Sequence, residues 1–368
     1  MIRTKRIHRP EGRRWKGALV AAVPVMMIGT LSAAVPTASA APRPQTSSPY
    51  TIYLSNNYLG NTWRVQMEKS AEAAATLAPL KGKVVLHVEN AAQTVPAQIT
   101  SLEAIIARHP SAILIDASSP TALNPTIATA CAQHIVVVNF DQPVTAPCAY
   151  RVTSNTNAAA VLDAEWIVGV LHGKGNLYVD SGLPGAPLSN AGVQLDLSVF
   201  KKYPGIHVVG YYQSQYAIGP EQQGVASLLS AHPDVDGLLS QAYCTGAIAA
   251  FQAAGHPLVP MVCAAFNGTM VALAKDKGAN GITTANPPYL SAEALRIAIN
   301  VLGGQKEQLH QILPLQCYYT EGPLPALPAG ATCQKIQLGV NAFPNANPGL
   351  SLPASPSWTN IPMSAVTP

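Results

Sequence analysis

Charge is what this 368-residue chain has least of: Asp, Glu, Lys and Arg together make up 11% of it. The formal net charge of +4 is a poor guide, because residues 1–40 hold seven bases (Arg3, Lys5, Arg6, Arg9, Arg13, Arg14, Lys16) and one acid, Glu11. The remainder carries 15 bases against 17 acids, a net of −2. A chain that is basic only at its start has no electrostatic footprint for DNA, RNA or anionic lipid, which excludes nucleic-acid binding. Cysteine pairs two to four residues apart are missing, so no zinc site is written in the spacing. The nine histidines are scattered singly, and no carboxylate-rich calcium loop is present. A phosphate loop ending in Lys-Ser/Thr and a nucleophile-elbow serine are also lacking. Acids are few and separated, with no pair placed on one face for glycoside hydrolysis. Nothing here argues for an enzyme, a metal or a cofactor.

What is present begins with a leader. Its first 17 residues are basic, Ala18–Val35 is apolar and uncharged, and Ala38-Ser39-Ala40 supplies the small residues a signal peptidase needs. Residues 1–40 are therefore expected to be a signal peptide, cleaved after Ala40, followed by a Pro/Ser linker at 41–49. Pro24, Gly29 and the small-residue exit argue against a membrane anchor. The expected location is periplasmic or secreted. Six cysteines, none of them in the leader, fall as Cys131/Cys148, Cys244/Cys263 and Cys317/Cys333. Their connectivity is open on sequence alone, although separations of 17, 19 and 16 favour three local disulfides in an oxidising compartment.

Beyond the linker, short apolar runs alternate with helical patterns. Candidate strands are Tyr50–Ser55, Lys83–Val88, Ala112–Ala117, Ile135–Phe140, Asn176–Asp180, His207–Tyr212, Gly237–Ser240, Pro260–Ala265 and Gly281–Thr284. Most are continuous rather than alternating, as strands buried on both faces of a parallel sheet should be. Helical stretches such as Thr62–Ala75, Val95–Arg108, Ala158–Leu171 and Ala292–Leu302 lie between them, which predicts an α/β fold. Two sheets of five or six strands are easier to twist and cover than one wide sheet. The expected break follows Phe140, where Asp141–Cys148 carries two prolines and no helical pattern. Leu324–Pro368 is rich in proline and almost uncharged, yet Phe343 and Trp358 favour packing over disorder.

In open α/β sheets, ligands bind beyond the carboxyl ends of the strands. Those positions hold Ser55–Arg64 (SNNYLGNTWR), Asp116-Ala117-Ser118-Ser119, the Ser181–Asn190 loop, Tyr211–Tyr216, Gln241-Ala242-Tyr243, Phe266-Asn267-Gly268 and Thr284-Ala285-Asn286. Amides, carboxylates and an arginine offer paired donors and acceptors for vicinal hydroxyls, and aromatic rings can cover the C–H face of a sugar. The set suits a small, neutral, hydroxyl-rich ligand. Each member also has a plain structural reading: Trp63 as core beside Met67 and Ala71, Asn61 as a helix cap, Asn267-Gly268 as a turn.

These segments resemble the type I periplasmic sugar-binding proteins, the ribose/galactose-like solute receptors of ABC importers. The likeness is carried by YTIYLSNNYLGNTWRVQM (Tyr50–Met67), AILIDASS (Ala112–Ser119), IVVVNFD (Ile135–Asp141) and SGLPGAPLSNAG (Ser181–Gly192). It continues in LLSQAYCTGAIAAFQAAG (Leu238–Gly255), FNG (Phe266–Gly268) and TTANPP (Thr283–Pro288). The resemblance implies two Rossmann-like lobes with mainly parallel sheets, joined by a three-crossing hinge. One lobe would span 50–151 plus 287–315, the other 152–286 plus 316–341, with a Pro-rich extension at 342–368. It carries ligand roles to Asn57, Tyr58, Trp63, Arg64, Ser118 and Ser119 in the first lobe. In the second they fall on Asn190, Tyr216, Gln241, Asn267 and Asn286. Asn190 and Asn267 stand where many members have arginine and aspartate, so ribose or galactose specificity does not carry over. The resemblance further implies a monomer that captures its solute without catalysis and hands it to the membrane permease of an ABC importer. The alternatives are the same fold serving a polyol, nucleoside or autoinducer, and a secreted glycan hydrolase.

Overall fold

The computed structural model describes residues 48–264, 280–337 and 350–368. The leader with Ala40, the linker through Ser47, the Phe266–Gly268 segment with Asn267, and Phe343 lie outside the described residues. Numbered along the chain, β1 (Tyr50–Asn56), β2 (Val84–Asn90), β3 (Ala112–Asp116), β4 (Val136–Phe140) and β5 (Tyr150–Ser154) alternate with α1 (Thr62–Thr76), α2 (Val95–Ile106) and α3 (Asn124–Ala132). Next come α4 (Thr156–Val170), β6 (Lys174–Asp180), α5 (Pro187–Phe200), β7 (Gly205–Tyr212), α6 (Ile218–Ala231), β8 (Gly237–Leu239), α7 (Thr245–Ala253) and β9 (Met261–Ala264). The rest holds β10 (Gly281–Thr284), α8 (Leu290–Leu302), β11 (His310–Leu313), β12 (Gln316–Tyr319), β13 (Thr332–Lys335) and the short α9 (Met363–Val366).

The strands form two sheets. The first runs β11-β5-β4-β3-β1-β2, with every pair parallel. The second runs β13-β12-β10-β9-β8-β6-β7 and is parallel except between β10 and β12. The chain passes from the first sheet to the second after β5, returns after β10, and crosses again between β11 and β12. The two-lobed, three-crossing α/β architecture is thus present. One expectation is corrected: the chain does not leave the first sheet after Phe140. The proline-containing loop Asp141–Cys148 returns it to that sheet as β5, and Cys148 is tied back to Cys131 at the end of α3.

Continuous apolar runs result from burial on both faces. In β1, Ile52 and Leu54 point into a core built with Met67, Ala71 and the α8 residues Leu290 and Leu295, whereas Tyr53 joins Leu102, Ile105 and Ile127 of α2 and α3. In β6, Leu177 and Val179 pack with Trp166 and Phe200 of α4 and α5, and Tyr178 packs with Val225 and Phe251 of α6 and α7. The disulfides are Cys131–Cys148, Cys244–Cys263 and Cys317–Cys333; the last joins residues directly paired across β12 and β13. Each closes a short loop, worth about 3 kcal/mol in the chain-entropy account. The final segment packs onto the first lobe: Leu350, Ala354, Ile361 and Val366 enter its core, and Trp358 lies against it. Among the described residues, no helix is long and apolar enough to cross a membrane.

Candidate functional site

The carboxyl ends of both sheets meet at one cleft. It is lined from the first sheet's side by Tyr58, Asn61, Trp63, Arg64, Asp141, Gln142 and Ser351, and from the second's by Leu188, Tyr216, Gln241, Tyr243, Ala264 and Asn286. Its empty space, counting the part open to solvent, is about 580 Å³. Hydrogen bonds bridge it: Thr62 Oγ1 donates to the Tyr243 hydroxyl at 3.4 Å, the Leu188 N–H donates to Gln142 Oε1 at 3.4 Å, and Asn286 adds others described below. The lobes are therefore closed on each other.

The first wall is organised around Arg64, which is placed by the start of α1. Asn61 caps that helix, accepting the Arg64 N–H at 2.9 Å, and lines the cleft as well. The cap and site readings of Asn61 thus both hold as geometry. The Arg64 guanidinium is buried. It pairs with Asp116 at the end of β3, lies 3.9 Å from Asp141 just after β4, and donates to Asn56 Oδ1 at 2.6 Å. It also sits 4.5 Å from the Tyr58 ring centre and 5.8 Å from that of Trp63, a cation–π arrangement that holds both rings. Burial pushes the carboxyls of Asp116 and Asp141 above their ordinary range, and Arg64 opposes that push. One cation is shared between two acids.

Asn286, after β10, locks the crossing region. Its backbone carbonyl accepts Trp63 Nε1 at 2.7 Å, its Nδ2 donates to Asp141 Oδ1 at 2.7 Å, and its Oδ1 accepts the Ser154 hydroxyl at 2.5 Å. Trp63 is consequently half-buried against the first core while one side of it lines the cleft.

The second wall is held by Asp180 at the end of β6. Its Oδ1 accepts the N–H groups of Gly182 at 2.8 Å and Ser214 at 2.9 Å, and its Oδ2 accepts that of Gln241 at 3.0 Å. Three loops are tied to one side chain. Gly182 has φ +67°, and a Cβ there would meet Ser189 Oγ at 2.5 Å, so the turn requires glycine. The N–H groups of Gly182 and Leu183 are consumed by Asp180 and Ser189, which leaves this glycine-rich loop unlike a phosphate cradle. The Tyr216 hydroxyl bonds Ser189 Oγ at 2.5 Å and Gln241 Oε1 at 3.3 Å. Burial pushes the Tyr216 phenol well up. Asp141 and Tyr216 both adopt left-handed backbone, φ 53° and 54°, the kind of local strain that clusters at ligand sites.

Six of the sequence-predicted residues therefore meet in the cleft: Tyr58, Trp63, Arg64, Tyr216, Gln241 and Asn286. Asn57 and Ser118 line an adjoining recess together with Tyr58 and Arg64. Ser119 does not; its hydroxyl accepts the Thr121 and Ala122 N–H groups and builds the turn before α3. Asn190 does not either. It is exposed on α5, because the helix turns Leu188, Gly192 and Asp196, spaced by four, toward the interior. Asn267 lies outside the described residues. Tyr243 and Leu188 belong to strand-end segments singled out in the sequence but were given no ligand role, and Asp141, Gln142, Ala264 and Ser351 were not anticipated as site members. Asp141 stands directly after β4, where the strand-end rule points; Ser351 has no such signal.

Comparison with known proteins agrees with this geometry. A family profile described as periplasmic binding protein domain matches residues 52–306. No curated protein matches the chain. Among solved structures, an ABC transporter solute binding protein from Thermobispora bispora DSM 43833 is 27% identical with a TM-score of 0.66, covering 72% of this chain and 84% of its own. The periplasmic binding protein of the arabinose ABC transporter from Shewanella sp. ANA-3, bound to L-arabinofuranose, is 20% identical over 73% and 91%, TM-score 0.66. A solute binding protein from Bacillus halodurans C-125 with bound myo-inositol is 16% identical over 73% and 94%, TM-score 0.64.

Proposed function

The chain belongs to the periplasmic binding protein domain family, and from that premise we propose that it is an exported receptor for a small sugar. On this reading the solute is held between the two lobes and delivered to the permease of an ABC importer, with no bond made or broken. The observation that carries the reading is the cleft itself. It brings the rings of Tyr58, Trp63, Tyr216 and Tyr243 together with the amides of Asn61, Gln142 and Gln241. Aromatic faces cover C–H surfaces of a pyranose or furanose, and amides and carboxylates pair with vicinal hydroxyls. Residues 50–151 with 287–315 would move as one body and residues 152–286 with 316–341 as the other. A ligand touching both bodies only when they close shifts the open–closed balance by its differential affinity.

A polyol is the second reading, favoured by the myo-inositol held in the Bacillus halodurans neighbour. Trp63 at the cleft wall supplies the probe. Tryptophan fluorescence titrated with monosaccharides, short oligosaccharides and polyols should respond to at least one member. Flat responses across the panel overturn the sugar and polyol readings alike, and product formed from a glycan would move the protein to the hydrolases.

A further inference from the structure

Below the cleft lies a second cavity, of about 730 Å³, between α4, α5 and the ends of β8, β9 and β10. It shares Leu188, Tyr216, Gln241, Ala264 and Asn286 with the cleft, so the two adjoin. Two carboxylates line it, Asp163 from α4 and Asp196 from α5, only 7% and 1% exposed. Asp163 Oδ2 accepts the Thr284 hydroxyl at 2.8 Å. Asp163 Oδ1 and Asp196 Oδ1 are buried without a hydrogen-bond partner among the described residues. No lysine, arginine or histidine lines the cavity among those residues. Buried polar atoms are almost always satisfied, and a carboxylate pair with no cation is the least tolerable exception.

A donor would satisfy both orphaned oxygens, and a donor with positive charge would also favour the ionised form of each acid. A calcium ion requires six to eight oxygens, and no cluster of three metal-ligating side chains exists among the described residues. An ammonium offers three donors and no acceptor, which suits two carboxylates lining one cavity beside Thr284. We propose that this cavity receives an amino group of the captured solute, so that the ligand is a sugar or cyclitol bearing an ammonium. The inference rests on the reading of the cleft as a carbohydrate site and specifies the substituent that reaches beyond it. Among the described residues, the titratable groups facing the cavity are Asp163, Asp196 and Tyr216. Burial pushes Asp196 up to about 8, and Asp163 well above the usual carboxylate range with Asp196 adding to the push. An incoming ammonium must therefore displace a proton at neutral pH.

Isothermal titration calorimetry at pH 7, in two buffers of different ionisation enthalpy, tests this. The probes are matched pairs: D-glucosamine with D-glucose, D-galactosamine with D-galactose, and an aminocyclitol with myo-inositol. At least one amino compound is expected to bind about tenfold to a hundredfold tighter than its hydroxyl parent, with proton release that the parent lacks. D196N should bring that ratio to near one, and D163N should lower it in the same direction; thermal melting confirms that both variants fold. If neutral members bind and no amino member exceeds its parent, the inference fails while the sugar reading stands. An unchanged ratio in D196N also overturns it. Calcium binding without sugar, abolished in D196N, reassigns the cavity to a metal. If no member of either set binds, the sugar reading falls and the inference with it.

Discussion

The two walls of the cleft handle buried acids in opposite ways. On the first-sheet side, Asp116 and Asp141 share the Arg64 guanidinium. On the second-sheet side, Asp163, Asp180, Asp196 and Glu221 are all buried, and none has an ion pair among the described residues. Asp180 and Glu221 are held by backbone N–H groups instead: those of Gly182, Ser214 and Gln241 for the first, and those of Cys244 and Gly246 for the second. The first wall is a charge-paired frame. The second is a set of carboxyls held by backbone N–H groups or, for Asp163 and Asp196, with one oxygen unpartnered among the described residues. A guanidinium steadies the acids of one lobe, and backbone dipoles steady Asp180 and Glu221 in the other.

The sharpest way to break the contrast is R64M. It strands Asp116 and Asp141 without a cation, and the loss should be about 3–5 kcal/mol in urea unfolding at pH 7. Adding D116N should recover much of that loss by removing one of the stranded charges. Failure of the double variant to recover stability would show that Arg64 acts through packing on Tyr58 and Trp63 instead.

Acidity probes the other wall. Burial pushes Asp196 up to about 8 and Glu221 up to about 7. Between the ordinary carboxylate range and those values the folded protein holds protons that the unfolded chain has lost. Unfolding then releases protons, and stability falls as pH rises from about 4 to about 8. The stabilisation is complete below the unfolded values and gone above the folded ones. The protein should be more stable at pH 5 than at pH 8, with a higher melting temperature and an unfolding free energy larger by an amount of the order of 6 kcal/mol. D196N should flatten part of that slope. A melting temperature that rises from pH 5 to pH 8 contradicts it.

The smallest effects separate two residues proposed together. W63A removes a cleft ring and its hydrogen bond to the Asn286 carbonyl, and should weaken the responding sugar by about tenfold or more. N190A, on the outer face of α5, should change affinity and stability by less than about 0.5 kcal/mol. Equal effects from the two in a titration and a melt would undo the assignment of Asn190 to the outside.

Much of the fold is legible in the sequence because parallel strands buried on both faces appear as unbroken apolar runs; all five residues of Ala112–Asp116 are buried. Tyr58, Gln241 and Asn286 are legible too, since each stands two residues past the carboxyl end of such a run, while Arg64 comes in the first turn of the helix that follows β1. The short strands at the crossings are not, since His310–Leu313 and Thr332–Lys335 mix polar and apolar residues and are partly exposed. The inner face of α5 is hidden for another reason. Helical phase depends on where Pro187 starts the helix, and a slip of two positions exchanges Leu188 and Gly192 for Asn190. Ser351 depends on a contact across most of the chain, where its backbone N–H and carbonyl exchange hydrogen bonds with the Gln66 amide at 2.8 and 2.9 Å.

The pairing of Ser351 with Gln66 bears on biogenesis. Leu350 enters the core behind α1, Ser351 lines the cleft, and Leu352 packs with Ala285 and Ile336 beside the crossings. A chain growing from its amino end cannot form this seam when α1 folds. One wall of the cleft therefore waits on a segment 285 residues downstream of the helix it packs against.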